Sequence, residues 1–238
     1  FISTNQNHKL NAREIKDILP EHNQGMHVIP QILSNKAMDF VLTAERVEQF
    51  GYHEVNLNLG CPAGTVVSKG RGSGFLAYPD ELDRFFDEVF SLLAKKGTIK
   101  VSVKTRLGKE DAEEMDHLMD IYNRYPLTEL IIHPRVQKDF YKNTPNLEAF
   151  RLAAAKSKAP VCYNGNIFSK ADYHTFSGKF PQITSIMLGR GVIANPALMG
   201  EIRHPDDPNF ALTKEKLYQF HNHLYKGYQA EIQGGRNV

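Results

Sequence analysis

Apolar residues along this chain alternate between two periods. Strand-like runs occur at "MHVIPQIL" (26–33), "HEVNLNLG" (53–60), "TIKVSVKT" (98–105), "LTELIIH" (127–133), "APVCYN" (159–164) and "ITSIMLG" (183–189). Between them the apolar positions recur at helical spacing, as in "SNKAMDFVLTAERVEQFG", where Ser34 or Asn35 suits the N-cap and Gly51 the stop. "YPDELDRFFDEVFSLLAKKG" repeats that logic. The opening "FIS" reads as the last residues of another strand. Because Phe1 is no initiator methionine, coding sequence upstream is expected to be missing, and the ending "GGRNV" raises the same expectation.

Strands recurring every ~25–45 residues with helices between them predict a parallel sheet with crossover connections. Six such units plus a strand remnant suit a (β/α)8 TIM barrel that lacks its first strand or strands. An open doubly wound sheet is the alternative. The position of the polar residues favours the barrel, whose chemistry gathers at the carboxyl ends of the strands. In chain order those ends carry Gln31, then Asn58 and Cys61, Lys104 and Arg106, His133 and Arg135, Asn164 and Asn166, and Gly189 and Arg190. Side chains alternate faces along a strand, so Asn56 and Asn58 share one face and Val55, Leu57 and Leu59 the other. By the same parity Ser102, Lys104 and Arg106 lie together, Ile131 lies with His133, and Cys162 lies with Asn164.

Composition adds bounds. With 238 residues, 41% of them hydrophobic and 24% charged, the chain can bury a substantial core, and its formal net charge of +2 neither requires nor excludes a nucleic-acid partner. Cys61 and Cys162 form no CxxC pair, so neither a disulfide framework nor a metal site is suggested, and a reducing cytoplasm fits best. No apolar stretch approaches the ~20 residues of a membrane span, and the polar start is no signal peptide, so a soluble protein without membrane attachment is expected. The one clear linker is "RHPDDPNFALT" (203–213). "YNGNI" (163–167) and "LGRGVIANPALMGEI" (188–202) each put glycine just past an apolar strand, and the second opens a short helix whose free amides suit a phosphate.

The motifs "NLNLGCP", "VKTRLG", "IIHPRVQKDFY", "NGNI" and "MLGRGVIANP", in this order and spacing, resemble the tRNA-dihydrouridine synthase family. The likeness spans most of residues 26 to 200. It implies an FMN-bearing barrel, reduced by a nicotinamide cofactor such as NADPH, that reduces the C5–C6 double bond of uridines in tRNA. It also implies a helical domain after the barrel. The expected organisation is therefore a barrel over 1–202, a linker over 203–212, and the beginning of a helical, tRNA-binding domain over 213–238. The chain departs from the family at Asn166, where an acidic residue is common, and at Pro134, where glycine is frequent; the family's first strand is not in the sequence.

By resemblance, Gln31, Lys104 and His133 contact the flavin, while Asn164, Gly165, Asn166, Gly189 and Arg190 surround its phosphate. Lys104 places positive charge where the reduced ring becomes anionic. Simpler roles stand beside these: Lys104 in a solvated ion pair, His133 as a rim histidine, Gln31 as a backbone partner. Reduction of uridine builds negative charge at C5, which needs a proton from a positioned acid, and a thiol that stays protonated suits that task. Cys61 is the expected acid; Cys162, inside a strand, is expected to be a buried thiol. Gly60 and Pro62 give the cysteine close approach and a restrained loop. Asn58 and Arg106 suit the uracil edge or a phosphate, and Tyr141 is the expected stacking partner for the extruded base. Lys69, Arg71, Arg135, Lys138 and Lys142 are the candidate phosphate contacts to RNA. Two other readings fit the same residues: an FMN barrel acting on a small molecule, and an RNA-binding relative that has lost catalysis.

Overall fold

The computed structural model describes residues 1–5, 7, 9–95, 97 and 99–231. Contacts divide the chain into two compact units, one of Phe1–Gly165 with Thr184–Met187, the other of Asn166–Ile183 with the residues from Leu188 on.

The first unit holds one parallel sheet of seven strands: β1 (Ile2–Ser3), β2 (Gln31–Leu33), β3 (Glu54–Leu59), β4 (Lys100–Gly108), β5 (Leu130–Val136), β6 (Val161–Tyr163) and β7 (Ser185–Ile186). Its helices are α1 (Ala12–Ile18), α2 (Ala37–Glu48), α3 (Gly64–Val67), α4 (Pro79–Ala94), α5 (Glu114–Tyr122) and α6 (Leu147–Lys156). The second unit contains α7 (Lys170–Lys179), α8 (Arg190–Ala194), α9 (Leu198–Arg203) and α10 (Lys214–Glu231).

Each strand pairs with its successor, from β1 to β7, with no reversal. That order is the wall of a (β/α) barrel; a doubly wound sheet reverses direction at a switch point. Within the opening "FIS", Ile2 and Ser3 form β1, with Ile2 opposite Ile32 on β2. The ladder along residues 26–33 is shorter than its apolar run, because Pro30 has no N–H to contribute and only Gln31–Leu33 pair. β4 and β5 instead outrun the predicted 98–105 and 127–133, reaching Gly108 and Val136 across a bulge between Arg106 and Gly108. Thr98, the first residue of that predicted run, and the ending "GGRNV" lie outside the described residues.

The outward parity of the strands forms the core. Val55, Leu57, Leu59, Val103, Leu130 and Ile132 are fully buried under the helices. Phe40 of α2, Phe85 and Phe86 of α4, and Tyr122 of α5 form an edge-to-face chain with centroids 5.6–6.0 Å apart. Tyr122 is satisfied inside that layer by the Thr105 hydroxyl at 3.0 Å. α2 starts later than its predicted caps, with Lys36 as the N-cap, one residue past Asn35 and two past Ser34, and Ser34 uses its hydroxyl on the backbone of Lys36. Gly51, at φ +88°, ends the turn as expected.

In the second unit Ser169 and Asp172 cap α7 reciprocally. Residues 203–212, the predicted linker, contain the end of α9 and a 3-10 turn over Pro208–Phe210, whose Phe210 stacks on His204. α10 begins where Thr213 accepts the Lys216 N–H, and it exposes Leu217, Phe220 and Leu224. Among the described residues no helix is long and apolar enough to cross a membrane.

Candidate active site

The inward parity builds a polar layer across β2, β3 and β4. Gln31 lies opposite Asn56, and Asn56 opposite Ser102. Gln31 Nε2 donates to Asn56 Oδ1 at 2.7 Å, and Asn56 Nδ2 donates to Ser102 Oγ at 3.1 Å. Asn58, one inward position further, donates through Nδ2 to Gln31 Oε1 at 2.7 Å. These carboxamides orient one another, which is why they can be buried.

At the next level Asn58 lies opposite Lys104, Lys104 opposite Ile131, and Ile131 opposite Cys162. Burial, reinforced by the neighbouring Arg106 charge, pulls the Lys104 ammonium down to about 8. Burial likewise raises the Cys162 thiol to about 11, so that sulfur is protonated and inert at neutral pH.

Arg106 is almost wholly buried. Nε donates to the Gly60 carbonyl at 2.8 Å, Nη1 to that of Val136 at 3.0 Å, and the guanidinium faces the Tyr141 ring 5.5 Å away. Tyr141 reaches that position after Phe140, the one non-glycine among the described residues with a left-handed φ, +50°. The Tyr141 ring also meets His133 edge-on at 5.8 Å yet is 52% exposed, so one side of it faces solvent.

The protonation of His133 follows from its partners. Nδ1 is 2.6 Å from the Asn164 carbonyl, which can only accept, so Nδ1 carries the hydrogen. Nε2 then accepts from Arg135 Nη1 at 3.2 Å. Burial, with Arg106 and Lys104 close by, holds the imidazole down to about 3, so it is neutral at physiological pH. The side chain of Asn164 donates to the Met187 carbonyl at 2.9 Å. Gly165 is required by space, since a Cβ there would run into the Tyr163 ring.

Cys61 follows β3 and is partly exposed. Asn58 Oδ1 accepts the N–H groups of Gly60 at 3.0 Å and of Cys61 at 2.9 Å. The Cys61 carbonyl accepts from the N–H of Ser73 at 3.1 Å and from its hydroxyl at 2.9 Å.

Within the second unit, Asn166 Oδ1 accepts from Arg190 Nη2 at 2.9 Å, and the Arg190 guanidinium lies 5.2 Å from the Phe168 ring centre. Gly189 precedes α8, and a Cβ placed on it would meet nothing within 4 Å.

Two of the candidate RNA cations have other occupations. Arg135 is 1% exposed and ties Asn143 O, at 2.6 Å, to His133. Arg71 is half-buried and stitches three loops, donating to Thr4 O at 3.1 Å and to Asn35 Oδ1 at 3.4 Å. Their positions in the sequence, next to exposed lysines, carry no signal of this. Lys69, Lys138 and Lys142 are exposed. Sequence reasoning passed over Ser73; the glycines on both sides of it were the available signal.

Sequential parallel strands with a cationic, carboxamide-lined site at their carboxyl ends define a barrel-class α/β protein. The chain belongs to the dihydrouridine synthase family, whose profile matches residues 1–234. It is similar to a tRNA-dihydrouridine(16) synthase of Neisseria meningitidis serogroup B, with 30% identity over 200 residues, 80% of this chain and 58% of the relative. A probable tRNA-dihydrouridine synthase of Staphylococcus aureus strain Mu50 is 28% identical over 214 residues, 86% of this chain and 61% of the relative. The chain thus spans about three fifths of the length of these relatives. Among solved structures, a variant of NCR from Zymomonas mobilis matches 86% of this chain and 70% of its own at 14% identity and a TM-score of 0.50. Histamine dehydrogenase from Rhizobium sp. 4-9 matches 82% of this chain and 28% of its own at 12% identity and the same TM-score of 0.50, which speaks to fold alone.

Proposed function

We propose that this chain carries the catalytic part of an FMN-dependent enzyme that reduces uridine to 5,6-dihydrouridine in tRNA, with NADPH as the reductant, in the cytoplasm. The observation that carries this reading is the juxtaposition of buried positive charge on β4 with a pinned cysteine at the end of β3. Lys104 and Arg106 lie side by side on the inward face, and burial lowers the affinity of both for their protons, reinforced at Lys104 by the charge of Arg106 and at Arg106 by that of Arg135. Such a pair fits an anionic ligand, which relieves the repulsion. The anionic edge of a reduced flavin is such a ligand.

In the first unit, Gln31, Lys104 and His133 are the flavin contacts in this reading, with Asn164 and Gly165 at the end of β6. In the second unit, Asn166, Gly189 and Arg190 are the phosphate contacts. When bound, FMN supplies the hydride that reduces uridine at C6. The chain's own part is to orient the base and deliver a proton. Cys61 gives its Sγ proton to C5, where charge develops, and must be reprotonated from solvent afterwards. Its partial exposure allows that return. In this reading the Asn58 amide and the Arg106 guanidinium are the groups that meet the carbonyls of the base. The solvent-facing side of Tyr141 offers it a stacking surface.

The test is anaerobic mixing of prereduced protein with unmodified tRNA, following reoxidation by flavin absorbance. Reoxidation by tRNA with stoichiometric dihydrouridine supports the reading. A colourless protein that binds tRNA, or reoxidation by small enones and not by tRNA, would replace it with one of the two alternatives.

A further inference from the structure

The glycine loop that follows α3 grips the cysteine. Both polar backbone groups of Cys61 have partners outside any strand ladder: the N–H goes to Asn58 Oδ1 at 2.9 Å, and the carbonyl takes two bonds from Ser73 at 2.9 and 3.1 Å. The preceding residue is held the same way, its N–H by Asn58 at 3.0 Å and its carbonyl by Arg106 at 2.8 Å. Ser73 is fully buried, and its hydroxyl donates to the Cys61 carbonyl. A buried hydroxyl carries a desolvation cost, which that bond offsets. The approach depends on Gly72. Its φ is +57°, and a Cβ there would lie 2.7 Å from Cys61 O and 3.1 Å from Cys61 Cβ, one bond from the sulfur.

We propose that Gly72 and Ser73 are positioning residues that fix where the Cys61 thiol sits, working against Asn58 and Arg106 from the other side. This rests on the reading of Cys61 as the proton donor. Proton transfer to a carbon tolerates little displacement of the acid, and an error of about 1 Å can lower a rate by about a hundredfold. A methyl on Gly72 pushes on the Cys61 carbonyl and Cβ directly. Loss of the Ser73 hydroxyl removes one of two bonds and leaves the carbonyl freer to swing.

The test is a double-mutant cycle. Gly72→Ala and Ser73→Ala are each made alone and with Cys61→Ala, and tRNA-driven flavin reoxidation is followed in single turnover. Flavin content and thermal midpoint report the fold. Gly72→Ala is expected to slow that step by about 10²-fold and Ser73→Ala by about tenfold, while in the Cys61→Ala background each changes the rate by less than about twofold. A second readout does not need turnover: alkylation of Cys61 by iodoacetamide should be several-fold faster in Ser73→Ala than in the parent, with buried Cys162 as the unreactive reference. Equal fold-losses with and without Cys61, or unchanged alkylation in Ser73→Ala, overturn the positioning role. Wild-type speed in Cys61→Ala alone overturns instead the acid role on which it rests. Should Gly72→Ala fail to fold, Ser73→Ala carries the same test, since it removes a single hydroxyl.

Discussion

Lys104 gives the most direct quantitative handle on the site. Its ammonium is drawn from 10.5 to about 8, first by burial and then by Arg106. A lysine lowered in the fold opposes stability where it is charged: below about 8 both folded and unfolded chains hold the proton, and the folded one holds it at a disadvantage. Between about 8 and 10.5 the unfolded chain binds more protons, so stability rises with pH through that window. Linkage puts the disadvantage at about 3 kcal/mol at pH 7 and about 1.4 kcal/mol at pH 9.5. Lys104→Met keeps the stem and removes the charge. In the flavin-free protein it should stabilise the fold by about 3 kcal/mol at pH 7, and the gain should shrink by about 2 kcal/mol on going to pH 9.5. The assay is urea denaturation of parent and variant at both pH values, taken as a difference so that other titrating groups cancel. A gap between the two proteins that does not change with pH, or a variant less stable at pH 7, would refute the argument that a buried, repelled ammonium sits there.

Three other outcomes separate structural from ligand-binding residues. Lys138→Ala with Lys142→Ala should lower the salt slope of tRNA binding by up to about 2 without changing the thermal midpoint, whereas Arg71→Ala, which loses the bonds to Thr4 and Asn35, should lower stability by about 1–2 kcal/mol. Filter binding across a salt series and urea denaturation read the two effects, and an unchanged slope in the lysine pair would remove that rim from the RNA contact. Gly189→Trp should release FMN, measured as flavin absorbance per protein, because a Cβ at Gly189 faces open space and the added ring would extend where the phosphate is proposed to bind. Full flavin content in the variant would put the phosphate elsewhere.

Local pattern determined a great deal here. The period-two alternation at Asn56 to Leu59 and at Val101 to Arg106 already separates the helix-packed face from the inward one. Both faces are where parity puts them, because a strand leaves its side chains no other choice. The chemistry-bearing types at each strand end were equally legible, since they interrupt apolar runs. What tertiary structure alone decided is which of those groups still face a ligand. Arg135 and Arg71 look like their lysine neighbours in sequence, yet one is buried on His133 and the other bridges Thr4, 67 residues away. The hold of Ser73 on Cys61 spans 12 residues and depends on a left-handed turn at Gly72. Hydrogen-bond partners of this kind are set by strand register and loop closure. Those belong to the whole packed sheet, and the spacing of residues along the chain does not record them.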